Sequence, residues 1–336
     1  MNNNWISRLP DNVKNLTINK LILPGAHDIG AYITELRYTV GDKGLWYILS
    51  KLGANLKCAH LIVNAWTITH SKSIYNQLIM GIRYLDLRIS YIKRLDEFFI
   101  THSVVCISLT VALTDILNFI SENSNEILII SVRPDYEYRH TITVPVRNKL
   151  LALVTKQLNG YICNPTPDYT FNHSTMTVDQ MVDNRNIVIY YDDYNKEKVN
   201  NPSFWDGERI RRNWHNTSNL ETKFKGILNS VEKNINDGLH LNILPFYLTP
   251  QQNQVIRDIF LRLIPCYTGK SIESIDDSLM HALPAFLEKN KGILPHFSVA
   301  LTDFEDPAFI NYWIQYNQKL KGREKAVRYV TFDKVT

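Results

Sequence analysis

This chain of 336 residues is poor in the features that announce the commoner cofactor-binding and membrane classes. Its 13 glycines form neither a GxGxxG nor a GxxxxGK run, which argues against a dinucleotide-binding fold and a P-loop. Its four cysteines (Cys58, Cys106, Cys163 and Cys266) are far apart and make no CxxC pair, so they are expected to be scattered thiols and not a zinc site. No stretch reaches the about 18 consecutive apolar residues of a membrane-spanning helix. The opening Met1-Asn2-Asn3-Asn4-Trp5 also lacks the basic-then-apolar order of a signal peptide. A soluble, cytoplasmic protein is therefore expected. Charge of one sign is scarce too: the formal net charge is +4. With no Lys/Arg run interleaved with aromatics, a nucleic-acid partner is not expected. A small positive excess does suit an anionic substrate or an anionic membrane surface.

What the chain does contain is a succession of short apolar runs: 21–23, 84–89, 98–100, 127–132, 187–191, 243–248 and 298–302. Several are nearly continuous, as expected of strands covered on both faces. Helical patterns lie between them, at 110–120 (with Val111, Ile116, Phe119 and Ile120 at helical spacing), 146–158 and 250–263. Alternating strands and helices imply a parallel sheet with right-handed crossovers. Seven or eight strands in this length favour a TIM-type (β/α) barrel, regular or incompletely closed, formed by residues 1–336 as one domain. No linker, repeat or low-complexity tract divides the chain.

A barrel places its chemistry just beyond the C-terminal ends of its strands. There the sequence offers His27 and Asp28, Arg88, His102, Arg133, Asp192 and Asp193, Trp214 (after a weak candidate strand at 209–211), Tyr247 and Asp303. The segment Pro24-Gly25-Ala26-His27-Asp28 is the most telling of these, because a Gly turn followed by His-Asp is a common way to mount an acid or base at a strand end.

These residues resemble the X domain of phosphatidylinositol-specific phospholipase C, most closely its small bacterial and X-domain-only forms. The resemblance rests on Trp5 with Leu9-Pro10, on the Leu23–Asp28 block, and on Gln77–Ile89 with its Gly81-Ile82-Arg83-Tyr84-Leu85-Asp86-Leu87-Arg88 core. It extends to Ile100-Thr101-His102, to 123–131, to Trp214–Thr217 and to Ala300–Phe304, and it is loose between about residues 135 and 240. Departures flank the chemistry: Ala26 and Ile29 stand where many members have Thr and Ser, and Ser103 stands where the second histidine is usually followed by Gly.

The resemblance implies cleavage of a phosphatidylinositol-type glycerophospholipid to diacylglycerol and cyclic inositol 1,2-phosphate. It makes His27 the base on the inositol 2-hydroxyl and His102 the acid on the leaving oxygen. Asp303 and Asp28 would orient His27 and His102 respectively. Calcium-binding relatives carry acids at both ends of the acid-x-acid triplet; here Asp86-Leu87-Arg88 puts a guanidinium in that place, which suits a phosphate and implies no metal and no cofactor. The implied partners are a phosphoinositide or related phospholipid and, peripherally, a membrane surface.

Each residue has a plainer alternative. Asp86 and Arg88 could be a structural ion pair, Asp303 could cap the helix near Pro307, and Arg133 could be a solvated arginine instead of a phosphate or inositol ligand. Trp214 and Tyr247 could stack on the inositol ring or simply pack the rim. The runs Leu45–Ile48 and Ile62–Trp66 could face lipid or be buried helix. A barrel phosphodiesterase of other specificity (glycerophosphodiesterase or sphingolipid phospholipase D-like) and a catalytically silent lipid-binding protein are the competing functions.

Overall fold

The structure is a computed structural model and describes residues 2–38, 44–134, 142–164, 175–183, 185–193, 199, 201–233, 240–262 and 269–320. Cys266, Leu263 and the expected boundaries at 1 and 336 lie outside the described residues.

Among the described residues ten strands are formed: β1 (Leu23–Ala26), β2 (Tyr84–Ile92), β3 (Glu97–His102), β4 (Val104–Ser108), β5 (Leu128–Pro134), β6 (Ile187–Tyr191), β7 (Trp205–Asp206), β8 (Ile210–Arg212), β9 (Leu241–Pro245) and β10 (Val299–Thr302). The helices are α1 (Asp11–Lys14), α2 (Leu45–Gly53), α3 (Lys57–Thr67), α4 (Ile74–Met80), α5 (Leu109–Glu122), α6 (Val144–Gln157), α7 (Val178–Asp183), α8 (Leu220–Lys233), α9 (Gln252–Leu261), α10 (Ile272–Lys289) and α11 (Pro307–Gln318). None of these is long and apolar enough to cross a membrane.

Eight strands form one parallel path in the order β7-β6-β5-β2-β1-β10-β9-β8. Its two edge strands, β7 and β8, are neighbours in the chain but do not pair, so the expected barrel is present in its incompletely closed form. Both faces of the sheet are covered: β1, β6, β9 and β10 are buried along their whole length. Crowding is greatest at Gly25, where a Cβ would lie 2.8 Å from a Val299 methyl, so only glycine lets β1 sit between β2 and β10 there.

The structure departs from the sequence expectation in three ways. The first strand is not 21–23 but Leu23–Ala26, which brings His27 directly onto the strand end; likewise β9 stops at Pro245 and Tyr247 lies past it. The run at 98–100 is not a barrel strand. It belongs to β3, which runs antiparallel to β2 (Ile89 opposite Ile100) and turns at once into β4. A continuous apolar run such as Phe98-Phe99-Ile100 looks the same in either direction, so the sequence pattern could not show this. Finally, Val111 points to solvent while Ala112, Leu113, Ile116, Phe119 and Ile120 form the buried face of α5.

Candidate active site

The period-2 alternation of β2 fixes half of the site. Leu85, Leu87 and Ile89 share one face of the strand, while Asp86 and Arg88 share the other. The β2–β5 register sets Asp86 opposite Ser131 and Arg88 opposite Arg133, which gathers these polar groups on the inner side. At the end of β1 the His27 N–H donates to Thr302 O (2.9 Å) and Asp28 takes a left-handed backbone (φ 47°), which Asp tolerates better than most residues. On β3 the chain returns toward the same end, so His102, its last residue, comes back to the rim.

The two histidine rings stand 6.3 Å apart, centroid to centroid. The buried Asp28 carboxylate lies between them, 3.3 Å from His27 Nε2 and 3.6 Å from His102 Nε2, with Arg88 Nε at 3.1 Å. On the other side of its ring, His27 Nδ1 meets Asp303 Oδ1 at 2.8 Å. His102 Nδ1 lies 2.9 Å from the Thr67 carbonyl, an acceptor only, so this nitrogen carries the proton and Nε2 faces the site. Tyr247 stacks on His27 at 4.0 Å and 12°. His70 supports the corner from below, with Nε2 2.7 Å from His27 O.

Asp86, fully buried, is paired not with Arg88 but with Arg133 Nη1 (3.0 Å) and Arg212 Nη1 (3.2 Å). Arg212 also donates to Asp192 (2.6 Å), Ser131 (2.6 Å) and the Tyr84 hydroxyl (2.9 Å). Arg212 was missed from the sequence. It closes a three-residue strand too short to show a period, and its role depends on partners 20 or more positions away. Three guanidiniums therefore face three carboxylates (Asp28, Asp86 and Asp192), which settles the formal charge near neutrality.

Burial dominates the ionisation of the site. It holds the His27 imidazole well below its usual value, reinforced by Arg88 and opposed by Asp86. It pushes the Asp303 carboxyl well up, with Asp276 and Asp28 adding to the effect. Asp86 is held below the usual carboxylate range: burial would raise it, but Arg133 and Arg212 together outweigh that. The ligand atoms of His27, Asp28 and Asp86 lie within 4.8 Å of one another, the one such group among the described residues. All three are already engaged with the neighbouring side chains.

Most of the residues expected at the site are thus brought together: His27, Asp28, Asp86, Arg88, His102, Arg133, Tyr247 and Asp303. Trp214 is not among them; it is 57% exposed and donates to Thr249 Oγ1 (3.1 Å). Asp303 does not cap the last helix. Asp306 does, accepting from the backbone N–H groups of Ala308 (2.6 Å) and Phe309 (3.2 Å).

Fold and rim define an incompletely closed (β/α) barrel that presents two histidines, a carboxylate and a guanidinium at one strand end. In sequence the chain is similar to the phosphatidylinositol phospholipase C (PI-PLC) X-domain proteins. It is 22% identical over 261 residues to human PI-PLC X domain-containing protein 2, covering 77% of this chain and 81% of that protein. Its identity to the mouse counterpart is 21% over 332 residues, covering 96% and 89%. A PI-PLC X-box domain-containing protein of Dictyostelium discoideum is 27% identical over 248 residues, which is 69% of this chain but only 30% of that longer protein. No family model matches. In fold the chain is similar to the phosphatidylinositol-specific phospholipase C of Listeria monocytogenes (TM-score 0.65, 18% identity, 95% of this chain and 99% of that one). It is also similar to a mutant of the Staphylococcus aureus enzyme (TM-score 0.61, 14% identity, 94% and 96%). The resemblance to the X-domain family thus holds in sequence along most of the chain and in fold.

Proposed function

We propose that this chain is a phosphodiesterase of the phosphatidylinositol-specific phospholipase C type, cleaving an inositol phospholipid by histidine base and acid catalysis without a metal. The observation that carries the reading is the His27–Asp28–His102 arrangement with Arg88 against it, at the strand ends of a PI-PLC-like barrel.

In this reading His27 takes the proton of the inositol 2-hydroxyl on Nε2. Its lowered pKa leaves it unprotonated at neutral pH, as a base must be, and Asp303 holds Nδ1 on the far side. The oxygen then attacks the phosphorus. Arg88 and Arg133 face the phosphoryl oxygens, and Arg88 supplies the positive charge that a cation supplies elsewhere. His102 is fixed by Thr67 so that only its charged form carries a proton on Nε2. Asp28, 3.6 Å from that nitrogen, positions it to protonate the leaving glycerol oxygen. A metal ion at His27, Asp28 and Asp86 would have to displace Arg88, Arg133 and Arg212 from those carboxylates.

The α2–α3 hairpin supports peripheral contact with a membrane surface. Its inner face is buried through Leu49, Val63 and Trp66, while Ile48, Leu52, Leu56 and Leu61 are exposed, Leu61 at 66%. Residues 45–48 and 62–66 are thus partly wall and partly surface.

The test is incubation with phosphatidylinositol vesicles in excess EGTA, followed by phosphorus NMR. Cyclic inositol phosphate is expected, and His27→Ala abolishes it. Strict dependence on added calcium would overturn the metal-free mechanism. Absence of product with every inositol lipid would sink the phospholipase reading in favour of another phosphodiesterase or a silent lipid-binding protein.

A further inference from the structure

Behind Asp303, away from the two histidines, lies a second set of ionisable groups that the chemistry above does not use. Lys223 of α8 has no exposed surface, and its Nζ has no hydrogen-bond partner; it sits 4.8 Å from the centroid of Tyr247, the ring that stacks on His27. Asp276 of α10 is 2% exposed and accepts the Leu248 N–H through Oδ1 at 2.6 Å. Its Oδ2 is buried and meets no hydrogen-bond donor. Burial pushes the Asp276 carboxyl up to about 7 and Asp303 well up, with Asp276 adding to the effect on Asp303, so the two neighbouring carboxyls hold a proton instead of both ionising. Both line a cavity of about 460 Å³ whose walls include Glu273, Asp277, His281 and Glu305 but not His27. Solvent protons therefore have an approach to the carboxyl pair that does not cross the front of the site.

We propose that Asp276 and Lys223 form a proton-holding pair behind Asp303, open to the cavity, that lets Asp303 become anionic when His27 gains a proton. This rests on His27 acting as the base. As the substrate hydroxyl gives its proton to His27 Nε2, the proton shared by the carboxyls moves from Asp303 to Asp276. The Nδ1–H of the new imidazolium then faces a full carboxylate, and no proton is gained or lost by the group as a whole. Lys223 makes the negative charge on the pair tolerable in a buried place. Asp276 and Lys223 are positioning residues, since neither reaches the reacting atoms.

The charged groups facing His27 on the front are Asp28, Asp86, Arg88, His102 and Arg133. Behind it are Asp303, Tyr247 and the Lys223–Asp276 pair, with Asp277 next to Asp276. Changing Asp276 to Asn leaves the front groups in place and puts the whole negative charge on Asp303, so His27 becomes more basic. Changing Lys223 to Met makes both carboxyls hold their protons more tightly, so His27 loses its anionic partner and becomes less basic.

The experiment is an NMR titration of labelled histidine in the wild type, Asp276→Asn and Lys223→Met. It is read together with the pH profile of kcat/KM on phosphatidylinositol. The midpoint of His27 is expected to rise by about one unit in Asp276→Asn and to fall by a comparable amount in Lys223→Met, with the acid limb of the activity profile moving in step. A merely structural role would not move the two variants in opposite directions. Folded variants whose His27 midpoints both stay within about 0.2 units of wild type would overturn the proposal. The NMR arm needs no turnover, so a protein silent on phospholipid but showing the opposite shifts would refute the phospholipase reading and leave the coupling standing.

Discussion

Replacing Glu126 by glutamine is expected to cost about 3–5 kcal/mol of folding stability, because it breaks a buried ion pair on one side only. Arg83 is fully buried and Glu126 is 1% exposed. Glu126 Oε2 accepts from Arg83 Nε at 2.9 Å and Nη2 at 2.7 Å, as well as from the Ile6 N–H at 3.2 Å, while Oε1 accepts the Ser7 N–H at 2.9 Å. Four donors therefore converge on two oxygens, and an amide nitrogen in place of either oxygen would point a donor at a donor. Arg83 spends its remaining protons on the carbonyls of Leu78 (2.8 Å), Ile82 (2.7 Å) and Asn3 (2.7 Å), with its guanidinium 4.9 Å from the Phe119 ring. The pair thus fastens the opening segment across the start of β2. With total stabilities of about 5–15 kcal/mol, the loss would take a third or more of the margin. Urea unfolding followed by tryptophan fluorescence measures it, as a fall in midpoint at unchanged slope. The double change Arg83→Met with Glu126→Leu is expected to recover only part of the loss, since the Ile6 and Ser7 amides remain without their acceptor. A loss below about 1 kcal/mol for the single change would refute the reasoning, by showing that water or a local rearrangement reaches the guanidinium.

Two further outcomes follow from single side chains. Ser103 sits at φ 60° in the reversal between β3 and β4, a backbone that glycine adopts without a Cβ penalty, so Ser103→Gly is expected to stabilise the fold by about 0.5–1 kcal/mol in urea unfolding. A destabilised variant would show that the serine hydroxyl matters more than the strain. Burial brings Lys223 down from 10.5 to about 8. Between those values the unfolded chain binds the extra proton, so stability rises with pH, by on the order of 3 kcal/mol over the full window. Lys223→Met is expected to lose that rise between pH 8 and 9.5, and parallel stability curves for the two proteins would contradict it.

The legible parts of this protein were those whose meaning lies within a few residues. Asp86 and Arg88 could be placed on one face because β alternation is local, and His27-Asp28 could be placed at a strand end because an apolar run and a Gly turn precede it. Asp303 had two readings that the sequence alone left open. The structure gives the capping work to Asp306 and leaves Asp303 on His27. What was not legible depended on direction and distance. The antiparallel return of β3 carries the same short continuous apolar run as a barrel strand. Arg212 ends a strand of three residues and is meaningful only beside Asp86 and Asp192. Lys223 and Asp276 read as ordinary polar positions of two helices, and only the packing of Lys223 on Tyr247 and of Asp276 on Leu248, just past β9, makes them buried and electrostatically coupled.

Backbone strain marks the same site without reference to any relative. Five non-glycine residues have positive φ among the described residues, and three of them are Asp28 (47°), Ser103 (60°) and Phe304 (49°). Each immediately follows a residue of the rim: His27, His102 and Asp303. The reason is geometric. Each of these side chains sits at the last position of a strand or one residue past it, and the chain must turn away at once if the imidazole or carboxylate is to point inward and not along the strand. A left-handed residue provides that turn, at a cost on the order of 1–3 kcal/mol for a bulky side chain such as Phe304. Its amide donates to Thr69 O at 2.6 Å, and His70, next in the chain, has Nε2 2.7 Å from the carbonyl of His27. Two of the three corners are therefore tied together through the Thr69–His70 segment, so the strain at Phe304 is borne by the same backbone that steadies His27. A barrel with no use for these groups would gain stability by relaxing all three turns. Their coincidence at one end of the sheet argues that the positions of His27, His102 and Asp303 are what the strain maintains.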